Sequence, residues 1–162
     1  MLDIIWRGIL IGIGGTIAMD IWAVILWKVF GEGKPNWAPV GRWCWHLKDG
    51  VVFHKSIAQA KPYAHEQALG WIFHYAVGIV YGVVLAVVMG SRWLASPTFM
   101  PAFVWGIVTV SAGWFLLQPG LGLGRAASKT PDPTKARAMN LFGHTIFAVG
   151  MWITALLLSQ VR

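Results

Sequence analysis

The sequence predicts an all-α protein: a four-helix transmembrane bundle with an amphipathic surface helix in its first cytoplasmic loop. Three observations predict it. Four apolar runs, at about residues 5–28, 67–90, 98–118 and 138–160, each reach the ~20 helical residues that cross a hydrocarbon core about 30 Å thick. Only 12 % of the side chains are charged and 57 % are hydrophobic, against about 25 % charge in soluble domains. The runs are continuous rather than alternating, which excludes the strands of a membrane barrel. Four such helices in 162 residues leave room for a single integral membrane domain, 1–162, and for no soluble domain.

The charge distribution sets an expected topology. The net charge is +7, but ten of the 13 basic side chains fall in or beside two loops. Lys28, Lys34, Arg42, Lys48, Lys55 and Lys61 belong to the first loop, and Arg125, Lys129, Lys135 and Arg137 to the third. Arg7, Arg92 and Arg162 lie on the other side. The positive-inside rule then puts loops one and three in the cytoplasm and both termini in the periplasm. Basic loops beside anionic headgroups make membrane lipids the expected partners and nucleic acid not one. Asp3 and the length of the apolar run argue against a cleavable signal, so the first run reads as an uncleaved span. Cys44 is the single cysteine, which excludes an intramolecular disulfide and a cysteine-based zinc cage.

Each element follows from its own pattern. Span one carries Gly8, Gly12, Thr16 and Asp20 at i+4 spacing, a small-residue face suited to close helix packing, with Asp20 at its end. The first loop, about 31–65, is too long to be a connector. Within it Val40, Trp43, Cys44 and Leu47 mark a short amphipathic helix, with Trp37, Trp43 and Trp45 as headgroup anchors. Span two repeats the small-residue face with Glu66, Gly70, His74, Gly78 and Gly82. The second loop, Gly90 to Pro97, is short, and Trp93 reads as an interface anchor. Span three aligns Ala102, Gly106, Val110, Trp114 and Gln118, with Trp114 as an interface anchor and Gln118–Pro119 as a helix stop. The third loop is rich in glycine and proline and predicts irregular chain folded over the cytoplasmic mouth. Its glycines do not match a phosphate-cradling motif. Span four places Asn140, His144 and Ala148 on one face.

Ionisable groups inside lipid are expensive and are functional-site candidates by default. Asp20, His74 and His144 each lie roughly 10–12 Å from the cytoplasmic end of their span at 1.5 Å per residue. The expected ligand or proton site is therefore Asp20, Glu66, His74, Gln118 and His144 in the cytoplasmic leaflet. Arg125, Ser128, Lys129 and Arg137 are the expected loop cover. Two cofactor readings stay open beside a plain polar helix interface. The histidines with an acid suit a transition metal or proton. His74 and His144 alone suit bis-axial ligation of haem b, with Gly70, Gly78 and Gly82 making room for the porphyrin and basic loop residues meeting its propionates. Arg42, His46 and His54 read as solvated or headgroup-facing groups.

The run GTIAMDIW, the GRW at 41–43, the E-x-x-x-G-W-x-x-H-Y of Glu66 to Tyr75, the loop QPGLGLGRAASKTPDP and His144 resemble a family of small bacterial inner-membrane proteins, domain of unknown function 2938. The resemblance covers almost the whole chain and implies four helices in a bacterial inner membrane. It implies no activity. Gly113 stands where that pattern leads us to expect proline, so no proline kink is carried over to this position.

The function these residues predict is an inner-membrane binding or transport protein for a cation, proton or small solute, with a homodimer expected to supply a lumen. A b-type haem protein exchanging electrons with quinone is the second reading. An accessory subunit of a larger membrane complex is the third, with Trp22, Trp105 and Trp152 as candidate partner faces. No nucleophile elbow and no H-E-x-x-H occurs, so an enzyme is the less favoured class.

Overall fold

Four helices in this protein are long and apolar enough to cross a membrane, and the computed structural model describes residues 1–161. Arg162, one of the basic residues weighed for topology, lies outside the described residues. Helix α1 runs Leu2–Phe30, α2 Ala38–Leu47, α3 Glu66–Ala95 and α4 Phe99–Ala112. A π-helical turn, Gly113–Leu117, leads into the short α5, Gln118–Leu121, and α6 is Pro133–Ser159. The described residues contain no strand. All four expected spans are present, each extended by a few residues at one end or both.

The chain folds into two compact units. The first comprises 1–34, 75–109 and 142–162, and the second 35–74 and 110–141. The first unit is a bundle of four helical segments around Ile11, Leu85, Ala86, Ala102, Phe147, Ala148 and Met151. Lipid is as apolar as leucine, so close van der Waals packing must hold such helices together. The small-residue faces supply it. A Cβ on Gly12 would strike the Gly78 carbonyl and Ile79 Cα, and one on Gly82 would strike the Gly12 amide and Gly8 carbonyl. Thr16 is buried between them and returns its hydroxyl to the Gly12 carbonyl at 2.8 Å. Arg7 closes the far end of this unit by donating to the Leu158 carbonyl at 2.7 Å, which also accepts the Val161 amide at 3.2 Å at the end of α6.

The second loop departs from expectation. Gly90 breaks α3 with φ 69° and ψ −177°, and the helix then resumes to Ala95. That positive φ is accessible to glycine at little cost. The kink turns Trp93 inward, where it is 6 % exposed and donates to the Thr98 carbonyl at 3.2 Å. Trp93 is therefore a core residue rather than an interface anchor.

The second unit has its own small core of Val40, Trp43, Ile57 and Leu121, with Phe73 and Leu117 packed against it. It corrects the reading of α2. Trp43 is 3 % exposed and its indole donates to the Val52 carbonyl at 2.8 Å. Val40 and Trp43 on the apolar face of α2 are covered by protein while Leu47 stays exposed, so Trp43 is no headgroup anchor. The expected helix stop at Gln118–Pro119 is also displaced. The Gln118 amide reaches back five residues to the Gly113 carbonyl, and the helix continues to Leu121. Proline lacks an amide hydrogen and its ring crowds the preceding turn. A wider π turn makes room for it. Gly113 opens this irregular turn, so a distortion occurs where no proline kink was implied.

Candidate functional site

In the first unit two of the expected polar residues find partners across helices. Asp20 is half-buried and accepts the Tyr75 hydroxyl at 2.8 Å. The i+4 face of α1 thus directs Asp20 toward α3. His144, on α6, places Nδ1 2.9 Å from the Thr109 hydroxyl oxygen and 3.1 Å from the Gly106 carbonyl. Thr109 spends its own proton on the Gly106 carbonyl at 2.6 Å. Both neighbours of Nδ1 can then only accept, so Nδ1 carries the hydrogen and the neutral ring keeps its lone pair on Nε2. Hydrogen bonding through Nδ1 in this way fixes the tautomer and the orientation of the ring.

In the second unit Glu66 is fully engaged. Arg42 donates Nε to Oε2 at 2.7 Å and Nη2 to Oε1 at 2.8 Å, and the Tyr63 amide adds a third bond to Oε2 at 3.2 Å. Each side chain is 17 % exposed. Arg42 also donates to the carbonyls of Ile57 and Ala60. Its pKa is raised above the usual arginine value, chiefly by the Glu66 hydrogen bond, against the opposing effect of burial. Arg42 is therefore a structural clamp rather than a solvated or headgroup-facing charge. It became possible because α2 crosses α3 closely: a Cβ on Gly41 would strike the Glu66 carbonyl. His74 stacks on Trp37 with ring centres 3.8 Å apart and meets Trp71 edge-on. Cys44 is half-buried on α2, and burial pushes its thiol up to about 11.

Gln118 belongs to a carboxamide cluster at the π turn. Trp114 Nε1 donates to Asn140 Oδ1 at 2.9 Å, and Gln118 Nε2 donates to the same oxygen at 2.8 Å. An indole nitrogen only donates, so the Asn140 atom facing it must be oxygen. The Gln118 atom facing that oxygen must then be nitrogen. This logic leaves Gln118 Oε1 on the far side, buried and without a hydrogen-bond partner. Trp114 is part of this cluster and not an interface anchor.

Of the expected loop cover, Arg137 donates to the Ala126 carbonyl at 2.8 Å and so pins the loop that contains Arg125, Ser128 and Lys129, which are exposed. The glycines considered as space for a porphyrin are occupied. Gly78 and Gly82 meet α1, and Gly70 meets Trp37. Among the described residues no three of His, Cys, Asp and Glu come together to hold a metal ion. Trp105 and Trp152 are half-buried and donate to the carbonyls of Tyr81 and Pro97, and Trp22 packs against Phe142. All three stay partly exposed, and the Trp22 indole nitrogen has no hydrogen-bond partner among the described residues. Sequence reasoning missed Tyr75, Thr109 and the pairing of Arg42. Tyr75 follows His74 in the E-x-x-x-G-W-x-x-H-Y run, and Thr109 precedes Val110 of the span-three face, so neither sat on the stripe that drew attention.

The chain belongs to the family described as protein of unknown function (DUF2938), whose profile matches residues 9–158. No curated protein and no solved structure matches it.

Proposed function

We propose that this protein binds, and as a homodimer transports, a small cation, proton or polar solute in the bacterial inner membrane, with both termini periplasmic. The observation that carries the reading is the buried acceptor Gln118 Oε1, which has no donor. A buried polar atom left unpaired costs about 1–3 kcal/mol. A ligand bearing a positive charge or an N–H or O–H group recovers that cost. Pro119 has no amide hydrogen to return to the preceding turn, and the Gln118 amide is committed to Gly113. The π turn therefore adds backbone acceptor capacity beside the carboxamides. Single π turns inside helices are frequent at functional sites. In the other unit Asp20 with Tyr75, and His144 with Thr109, supply proton-carrying groups for coupling.

The test uses the full-length protein in nanodiscs and in liposomes. Sodium, potassium and ammonium are titrated while melting is followed by tryptophan fluorescence. At least one should raise Tm in the wild type and fail to do so in Gln118→Leu. Internal pyranine in the liposomes should report proton movement that Asp20→Asn removes. Cation shifts retained in Gln118→Leu would take Gln118 out of the site. A Soret band in the protein as isolated, lost in His144→Ala, would replace this reading with electron transfer.

A further inference from the structure

His46 and His54 form a pair that the site above does not use. His46 lies in the last turn of α2, and His54 lies on the segment that follows. His46 Nδ1 is 2.8 Å from His54 Nε2. The outer nitrogens are each tied to a backbone carbonyl: His46 Nε2 to Lys61 at 3.0 Å, and His54 Nδ1 to Gly120 at 2.9 Å. A carbonyl oxygen only accepts, so both outer nitrogens carry hydrogen. A neutral imidazole has a single N–H. Two neutral rings would then aim lone pairs at each other across 2.8 Å, which is a repulsive contact. One additional proton converts that contact into a charge-assisted N–H···N bond of ordinary length.

A metal ion is the other way to reconcile two facing lone pairs, and the ring placement speaks against it. The ring centres are 5.0 Å apart. The facing nitrogens account for 2.8 Å of that, and the remainder is no more than the two ring radii. The rings therefore meet head-on. A metal shared by both would sit at the apex of a triangle and bring the ring centres closer.

We propose that His46 and His54 share one proton, forming an imidazolium–imidazole pair that carries a single positive charge. The proton bridges α2 to the segment around Val52, and through the Gly120 carbonyl to α5. The Gly120 carbonyl also accepts the His54 backbone amide at 3.0 Å. The site suits one cation. A positive charge in the last turn of a helix is stabilised by the helix dipole. The charged groups on the segments that meet here hold the count at one proton. They are Arg42, Lys48 and Asp49 on and after α2, Lys55, Lys61, His65 and Glu66 on the next segment, and Arg125 and Lys129 beyond α5. Arg42 is paired with Glu66 and Lys48 with Asp49. Asp132, further along the loop beyond α5, accepts the Lys135 backbone amide, and Lys55, Lys61, Arg125 and Lys129 leave an excess of positive charge. A second proton would place two imidazolium rings in contact within this excess of positive charge.

The deciding experiment is nuclear magnetic resonance of the full chain in lipid with 15N-histidine label. The expected result is a through-bond 15N–15N coupling between His46 Nδ1 and His54 Nε2, with one ring reporting the imidazolium form and its partner the imidazole form. Both rings neutral, with no coupling, would overturn the proposal. Melting against pH gives a second measurement. Wild-type Tm should depend on pH more steeply than that of His54→Gln, because only the wild-type contact needs the extra proton. The glutamine amide donates to His46 without needing a proton. Equal slopes in the two proteins would also overturn the proposal.

Discussion

The two units of this molecule are held together by different physics. In the first, helices touch through glycine, alanine and threonine, and the hydrogen bonds across them are separate contacts such as Tyr75 to Asp20 and Trp105 to the Tyr81 carbonyl. In the second, α2 and the loops are joined by a bidentate ion pair, an indole-to-carbonyl bond, a carboxamide cluster and a histidine pair. A helix buried in lipid satisfies its own backbone, so its neighbours need only shape. Irregular chain leaves backbone groups open, and side chains such as Arg42, Trp43, His46 and His54 must answer them. Shape tolerates no added atoms, whereas a polar network tolerates change as long as its partners remain matched.

That contrast can be broken at its strongest point first. Gly82→Leu drives a side chain into the Gly8 and Gly12 backbone and should prevent the first unit from packing. The expected loss exceeds about 4 kcal/mol. Size-exclusion chromatography and tryptophan fluorescence in mild detergent would show no folded species, and a native-like melt would mean that α1 and α3 do not pack as described. Next in size is the clamp. Glu66→Gln leaves Arg42 half-buried without its anion and should cost about 3 kcal/mol. Arg42→Gln should cost a similar amount. In the double variant the two losses should not add, and additive losses in a thermodynamic cycle would show that the pair is not coupled.

Smaller effects sharpen the comparison. Tyr75→Phe removes one hydrogen bond to Asp20 and should cost about 1 kcal/mol, read as a modest fall in Tm with the fold intact. A neutral result would remove Tyr75 as a partner of Asp20. Cys44 should have almost no effect on stability when probed chemically. Its thiol is pushed up to about 11, and the thiolate is the reactive form. Alkylation at pH 8 should therefore run about a hundredfold slower than for an ordinary thiol, and should accelerate as pH rises toward that value. Rapid labelling at pH 8 would show that α2 exposes this face.

Much of the fold was legible because lipid is a demanding solvent. Long apolar runs, their lengths and the i+4 faces of glycine in spans one and two follow from hydrocarbon thickness and helix period, so those readings match the observed helices. The aromatic residues were less legible. Trp43, Trp93 and Trp114 have the composition of interface anchors, and each instead donates to a protein acceptor. An indole is suited equally to a headgroup or a buried carbonyl, and sequence does not say which is nearer. The site residues divide in the same way. Asp20 and His144 were marked by being ionisable within apolar runs, by their helix faces and by their depth. Glu66 was marked too, but its partner Arg42 lies 24 residues away on another helix and left no local signal.

Composition, helix period and charge placement thus determined the membrane class, the spans and the small-residue faces, because these depend on local chemistry against a uniform solvent. The pairing of Arg42 with Glu66, the kink at Gly90, the π turn before Pro119 and the orphan oxygen of Gln118 were decided only in three dimensions. Each depends on which group happens to face which across a gap of a few ångströms, and a linear pattern carries no information about that distance.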